Sequence, residues 1–332
     1  MRSTAPLLAT AVLAALAFPA YAQQPSPAAA WTVPDVNSLP DDKFGRLVRQ
    51  GRDLVERTFA HIGPEVKDAA RRFSGNNLSC SSCHVDAGTK KYGNTFFGVF
   101  ADYPQYRPRE DDVQTIEDRV NGCMERSMAG RPLPVDGPDM RAFLAYFKFL
   151  SSGVPVGTAI EGRGLPKAAL PDRAADPARG KAVYDAFCVA CHGADGAGQR
   201  AGVSGDAKGY NFPPLWGPDT YNNGAGMARV IMAARFIKGN MPKGVTHETA
   251  VLTDEQAFDV AAYINSQPRS AKAGLEADFP DRRKKPVDAA FPPYRAGFTA
   301  EQHKFGPFKP IVREREKGLA PAVVPVRKTA GG

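Results

Sequence analysis

Apolar residues recur at helical spacing in two separate regions of this chain, and the two regions follow the same plan. In "DKFGRLVRQGRDLVERTFAHIG", Leu47, Leu54, Val55 and Phe59 fall on one side of an amphipathic helix. A second helix is expected in "PDMRAFLAYFKFLSS", where Phe143, Leu144, Phe147 and Leu150 form an apolar face before Gly153 and Pro155 end it. Residues 154–175 are rich in Gly, Pro and Ala and carry no sustained period, which marks a linker. The pattern then begins again. "DPARGKAVYDAFCVACHG" reads as a helix entering a cysteine motif, and "TDEQAFDVAAYINSQ" as a closing helix with Thr253 and Gln256 placed as a capping box. The chain therefore reads as a divergent repeat, with domains at residues 41–153 and 176–268.

The flanks read differently. Arg2, the apolar run "LLATAVLAALAF" and the small residues ending at Ala22 form a secretory signal over residues 1–22, so export to the periplasm is expected. Residues 23–40 are a Pro- and Ala-rich linker. After residue 268, "DRRKKP" and "FGPFKP" lie in a stretch without clear period, read as an extended basic tail over residues 269–332. No stretch of the mature chain is apolar for long enough to span a membrane. The formal charge of +8 suits an anionic partner. Export and the absence of a nucleic-acid-binding pattern exclude nucleic acid and favour small anions.

Five cysteines supply the chemistry. "CSSCH" (Cys80, Cys83, His84) and "CVACH" (Cys188, Cys191, His192) both match the C-x-x-C-H pattern of covalent heme attachment. Two thiols bond the heme vinyl groups, and the histidine that follows is placed on the iron. A redox C-x-x-C or a zinc site accounts less well for a histidine after both copies. "PPLWG" and the Gly-rich run before it fit no nucleotide-binding pattern and read as loops around the second heme.

Each iron has a second axial position. For the second heme the candidates are Met227, Met232 and Met241, and Met241 stands before Pro242 in "FIKGNMPKG", ahead of the closing helix. For the first heme, "NGCMERSMAGRPLP" offers Cys123, Met124 and Met128. The internal repeat favours Met128, which precedes its closing helix by nearly the interval that separates Met241 from Thr253. Cys123 has a competing claim, because heme attachment consumes the other four cysteines and leaves an odd thiol in an oxidising compartment. It is a thiolate ligand, a small buried hydrophobe or half of an intermolecular disulfide.

Each half, with Gly180 and Tyr184 ahead of Cys188 in the second, resembles class I cytochromes c. That implies an all-α fold of two class I cytochrome c-like domains in tandem, each with one covalently attached heme c. The order of motifs, and the segment "NGCMERSMAGRPLP" in particular, resembles the periplasmic diheme thiosulfate dehydrogenases, which form or reduce tetrathionate. The resemblance covers most of the mature chain. It implies that Cys123 and His84 ligate the first iron and His192 and Met241 the second, and that Arg109, Arg119 and Ser127 line the substrate site. Some members carry a lysine immediately before the second-heme methionine and exchange ligands on reduction. Here that position is Asn240, and Lys238 is out of register, so the second heme should keep Met241.

These parts suit an oxidative coupling. Two thiosulfate dianions must approach one another and release two electrons. Fixed guanidinium groups offset the repulsion, and a small periplasmic cytochrome c is the natural electron acceptor. Three other readings stand beside this one. A Sox-type cytochrome loads thiosulfate on a carrier protein, a diheme carrier resembling cytochrome c4 has Met128 on its first heme, and a diheme peroxidase leaves the arginines and Cys123 without a role.

Overall fold

A computed structural model describes residues 31–319, so the expected signal and the first part of the N-terminal linker lie outside the described residues. The first half contains α1 (Lys43–Glu56), α2 (Thr58–Ile62), the short turn α3 (Val85–Gly88), a two-stranded antiparallel ladder of β1 (Gln105–Arg107) and β2 (Asp112–Gln114), then α4 (Ile116–Arg126) and α5 (Pro138–Leu150). The second half contains α6 (Pro177–Phe187), α7 (Val189–His192), a second small ladder of β3 (Gln199–Arg200) and β4 (Tyr210–Phe212), then α8 (Val230–Asn240) and α9 (Asp254–Ser266). Helices α10 (Ala300–Phe305) and α11 (Phe308–Leu319) follow.

The two halves are built on the same crossing. Helix α1 starts where the Asp42 carboxylate accepts the Gly45 N–H at 2.7 Å, and it buries Val48, Gly51, Leu54 and Val55. It ends at Arg57, so Phe59 belongs to α2 rather than to the longer helix that periodicity suggests. Gly51 lets α1 lie against α5, since a Cβ there would stand 2.0 Å from the Ala142 carbonyl oxygen. In the second half Gly180 plays the same part for α6 and α9, with a Cβ 2.0 Å from the Asp259 carbonyl oxygen. A tyrosine one turn further along each closing helix, Tyr146 or Tyr263, packs beside the glycine. The capping box on α9 forms as expected, Gln256 N–H to Thr253 Oγ1 at 3.1 Å and Thr253 N–H to Gln256 Oε1 at 2.9 Å.

The segments read as linkers and tail are packed. Residues 154–175 form a strap from the first half, where Ile160 is buried and the Tyr92 and Asn94 N–H groups donate to the Gly162 and Gly164 carbonyls at 2.6 and 2.9 Å, to the second, where Leu170 and Ala175 pack on its core. Trp31 packs at a tilt on Phe97 with ring centroids 5.0 Å apart, and Val36 is buried. The expected extended tail is not extended through residue 319. Leu275, Phe279, Ala289 and Phe291 form a small core of their own, and Phe308 and Ile311 insert into the core of the second half. Sequence periodicity misses this because each apolar residue is anchored singly, between prolines and charges, rather than along one helix face.

Direct contacts join the halves. Asn76 Nδ2 donates to the Thr220 carbonyl at 3.0 Å, the Asn77 N–H to Asp219 Oδ1 at 2.8 Å, and Arg200 bridges Glu65 at 2.9 Å and Asp219 at 3.2 Å. Among the described residues no helix is long and apolar enough to cross a membrane.

Candidate heme sites and active site

The first site is assembled by α1, α2, the turn carrying Cys80 and Cys83, and α4. Thr58 Oγ1 accepts the Cys80 N–H at 3.0 Å and fixes the start of the motif against α2. His84 Nδ1 donates to the Asn94 carbonyl at 2.5 Å, and the ring stacks on Phe96 with centroids 4.2 Å apart. That bond occupies Nδ1 and leaves Nε2 as the nitrogen facing Cys123, the one that would be offered to an iron.

Helix α4 carries Cys123 to the same place. Its start is fixed by a capping box the sequence reading missed, Asp118 N–H to Thr115 Oγ1 at 3.4 Å and Thr115 N–H to Asp118 Oδ2 at 2.9 Å. Burial pushes the Cys123 thiol up, but the Arg119 guanidinium, a hydrogen bond and charge from His84, and Arg109 together bring it down to about 6. Burial pushes the Cys80 and Cys83 thiols up to about 11 and about 12, and the Cys123 sulfur acts on both in the same sense. Three sulfurs and the His84 ring therefore share one half-buried place. Met124 and Met128, the rivals of Cys123, are 1% and 3% exposed within the hydrophobic core.

Guanidinium groups close in from one side. Arg119, one turn before Cys123, is held above its usual value chiefly by the Cys123 sulfur. Arg109 is brought down to about 10, first by burial and then by Arg126 and Arg119, and stays charged at neutral pH. Ser127 caps α4 one turn after Cys123, and its carbonyl accepts from Asn76 Nδ2 at 3.0 Å. Arg109, Arg119 and Cys123 are thus brought together, with Ser127 on the same helix face by its spacing.

In the second half, His192 Nδ1 donates to the Pro213 carbonyl at 2.8 Å, again freeing Nε2. Met241 follows the last turn of α8 and packs with Cys188, Met227 and Trp216 against the second core, a cluster that does not include Met232. Lys238 is committed elsewhere, its Nζ donating to the Leu252 carbonyl at 2.6 Å and pairing with Asp254 at 3.3 Å. Asn240 is buried and donates to the Tyr92 and Phe236 carbonyls at 3.1 and 3.2 Å. Among the described residues no group of three or more His, Cys, Asp or Glu is arranged to hold a bare metal ion. A heme brings four equatorial nitrogens of its own, so a pair of axial ligands beside two cysteine sulfurs fits it.

The SoxA/TsdA cytochrome c domain family matches residues 70–156, and the cytochrome c family matches residues 177–268. A thiosulfate dehydrogenase of Allochromatium vinosum is 42% identical over 271 residues, which cover 80% of this chain and 94% of that protein. One from Thiomonas intermedia is 37% identical over 80% of each chain. The chain belongs to the thiosulfate dehydrogenase family. The solved thiosulfate dehydrogenase (TsdBA) of Marichromatium purpuratum, in its as-isolated form, superposes with a TM-score of 0.65 at 36% identity over 73% of this chain, which spans half of that longer one.

As a thiosulfate dehydrogenase, the chain is an oxidoreductase of two tandem cytochrome c domains with two covalently bound heme c groups. The site also contains residues that sequence reasoning missed. Tyr103 lies close to Arg119, Arg107 and Cys123, and burial pushes its phenol up. Glu110 lies near Arg109 and Arg119 with one buried carboxylate oxygen unpartnered. Arg126 forms a buried two-point ion pair with Asp278, at 2.6 and 2.8 Å. Tyr103 and Glu110 carried no motif signal, and Asp278 lay in the stretch read as a tail without chemistry.

Proposed function

We propose that this enzyme couples two thiosulfate dianions to tetrathionate, in either direction, at the first heme site, where His84 and Cys123 would hold the iron, while His192 and Met241 would hold that of the second. The observation that carries the reading is the convergence of Cys123 with His84 and Arg119 in one half-buried place. When bound, the two hemes accept the two electrons one at a time and hand them on to an external acceptor, for which a small periplasmic cytochrome c is the natural chemistry. The chain's own residues do the rest. Arg109 and Arg119 place fixed positive charge where two dianions must meet, and they stay protonated throughout because guanidinium does not titrate near neutral pH. Ser127, one turn beyond Cys123, contributes a hydroxyl to the same face. No proton is consumed, since joining two thiosulfates through their outer sulfurs releases only two electrons.

Burial of Met124 and Met128 in the core supports Cys123 over either as the ligand. With heme bound, the Cys123 thiolate at the first site and the Met241 thioether at the second would set the first potential below the second and favour flow from the first half to the second. The test is the purified protein with thiosulfate and ferricyanide, with tetrathionate quantified. The wild type forms it, and Cys123→Ser abolishes it while both hemes remain attached. A wild type that makes no tetrathionate without an added carrier protein overturns this reading in favour of the Sox-type one. Paramagnetic resonance of the oxidised protein distinguishes thiolate on the first iron from the thioether of a pure carrier.

A further inference from the structure

The segment after the second heme domain returns across the molecule and passes against the first site at Asp278 and Phe279. Asp278, 6% exposed, accepts from Arg126 Nη2 and Nη1 at 2.6 and 2.8 Å, and its Oδ2 lies 4.0 Å from Arg109 Nε. The next residue adds two contacts to the same arginine. The Phe279 N–H donates to the Arg109 carbonyl at 2.7 Å, and the Phe279 ring centroid lies 5.9 Å from the Arg109 guanidinium carbon. Asp278 is itself fixed from behind, its carbonyl accepting from Arg282 Nη1 at 2.7 Å. Two consecutive residues thus hold Arg109 by backbone, carboxylate and ring.

We infer that Asp278 is a positioning residue for substrate binding: anchored by Arg126, it and Phe279 hold the Arg109 guanidinium toward Arg119 and Cys123, so a segment outside both heme domains governs affinity for the sulfur oxyanion. The inference rests on the reading of Arg109 as a substrate-binding group. Neutralising Arg126 alone accounts for the two short hydrogen bonds but leaves the contacts to Arg109 without a purpose. The sign of the effect separates the alternatives. A carboxylate acting only as a nearby charge repels a dianion, so its removal lowers KM for thiosulfate. A carboxylate that positions Arg109 does the opposite.

The experiment is a double-mutant cycle on the diheme protein, with Asp278→Asn, Arg109→Met and the pair, read as KM and kcat for thiosulfate with ferricyanide. Asp278→Asn is expected to raise KM roughly fivefold to tenfold, on the scale of a displaced binding group, with kcat nearly unchanged. In the Arg109→Met background it adds nothing. A KM that falls or stays level on Asp278→Asn overturns the inference, as does an equal rise with Arg109 already removed. If Arg109→Met itself leaves KM unchanged, the substrate role of Arg109 fails first and the inference falls with it. Should Asp278→Asn not fold with both hemes, Phe279→Leu decides, because it keeps the carboxylate and the backbone contact. That variant is expected to raise KM about threefold through loss of the ring contact, and an unchanged KM overturns the inference.

Discussion

The proposal for the second site depends most on Met241. It follows α8 directly, shares a cluster with Cys188, and has no competitor in register, because Lys238 is bound to the start of α9 and Asn240 to the backbone of the first half. Met241→Gly is expected to change the reduced visible spectrum of the second heme and to lower kcat with ferricyanide several-fold, leaving KM for thiosulfate unchanged. An unaltered reduced spectrum assigns the ligand to another residue. At this scale the attachment motifs were fully legible, because spacing and chemistry are there the same fact. In the sequence the proposal of Cys123 rests on elimination and resemblance, since its position in the repeat pointed to Met128. Asp278 and Tyr103 were not legible at all: a single carboxylate or phenol acquires meaning only from what folds against it.

Helix crossings decide whether each half forms. Gly180 has no room for a Cβ beneath the Asp259 carbonyl, so Gly180→Ala forces α6 away from α9. The expected cost is about 3 kcal/mol, within the range of overpacked cores, and appears as a melting temperature lower by several degrees. A variant that melts like the wild type shows that the crossing can relax. The segment around Lys285 offers a second test. Its Nζ is buried and donates to the Phe291 and Pro293 carbonyls at 2.6 and 2.9 Å. Burial, with Arg282 adding to it, pulls this lysine from 10.5 down to about 8. Between those values the unfolded chain binds more protons than the folded one, so stability gains from this group as pH rises from about 8 to 10.5. Wild type should therefore gain melting temperature over Lys285→Met across that window, and parallel curves show that Lys285 does not titrate there. The crossing helices were readable in the sequence, α9 with its capping box, though periodicity ran α1 on past Arg57 to Phe59. The packing of residues 275–312 was not, because isolated anchors between prolines leave no period to read.

In the whole molecule, two heme-bearing halves must be held at a fixed separation, and the polar contacts at their junction do this. Asp219 is the centre of that junction. It accepts the Asn77 N–H from the first half at 2.8 Å, pairs with Arg200 at 3.2 Å, and accepts the Tyr210 hydroxyl at 2.6 Å. Arg200 in turn reaches Glu65 of the first half at 2.9 Å. Removing the carboxylate leaves a partly buried guanidinium, a phenol and an amide without their shared acceptor, at a cost of about 2 kcal/mol. None of Asn77, Arg200, Tyr210 and Glu65 is bonded to Arg109, Arg119 or Cys123, so on the proposed reading a change at Asp219 is expected to act on transfer between the halves rather than on affinity for thiosulfate. Asp219→Ala should therefore lower kcat with KM unchanged, and calorimetry should separate the melting of the two halves. A variant with wild-type kcat and a single transition shows that the strap of residues 154–175 and the returning C-terminal segment hold the halves without the junction. A rise in KM instead means that the first site is shaped by the second half through more than Asp278.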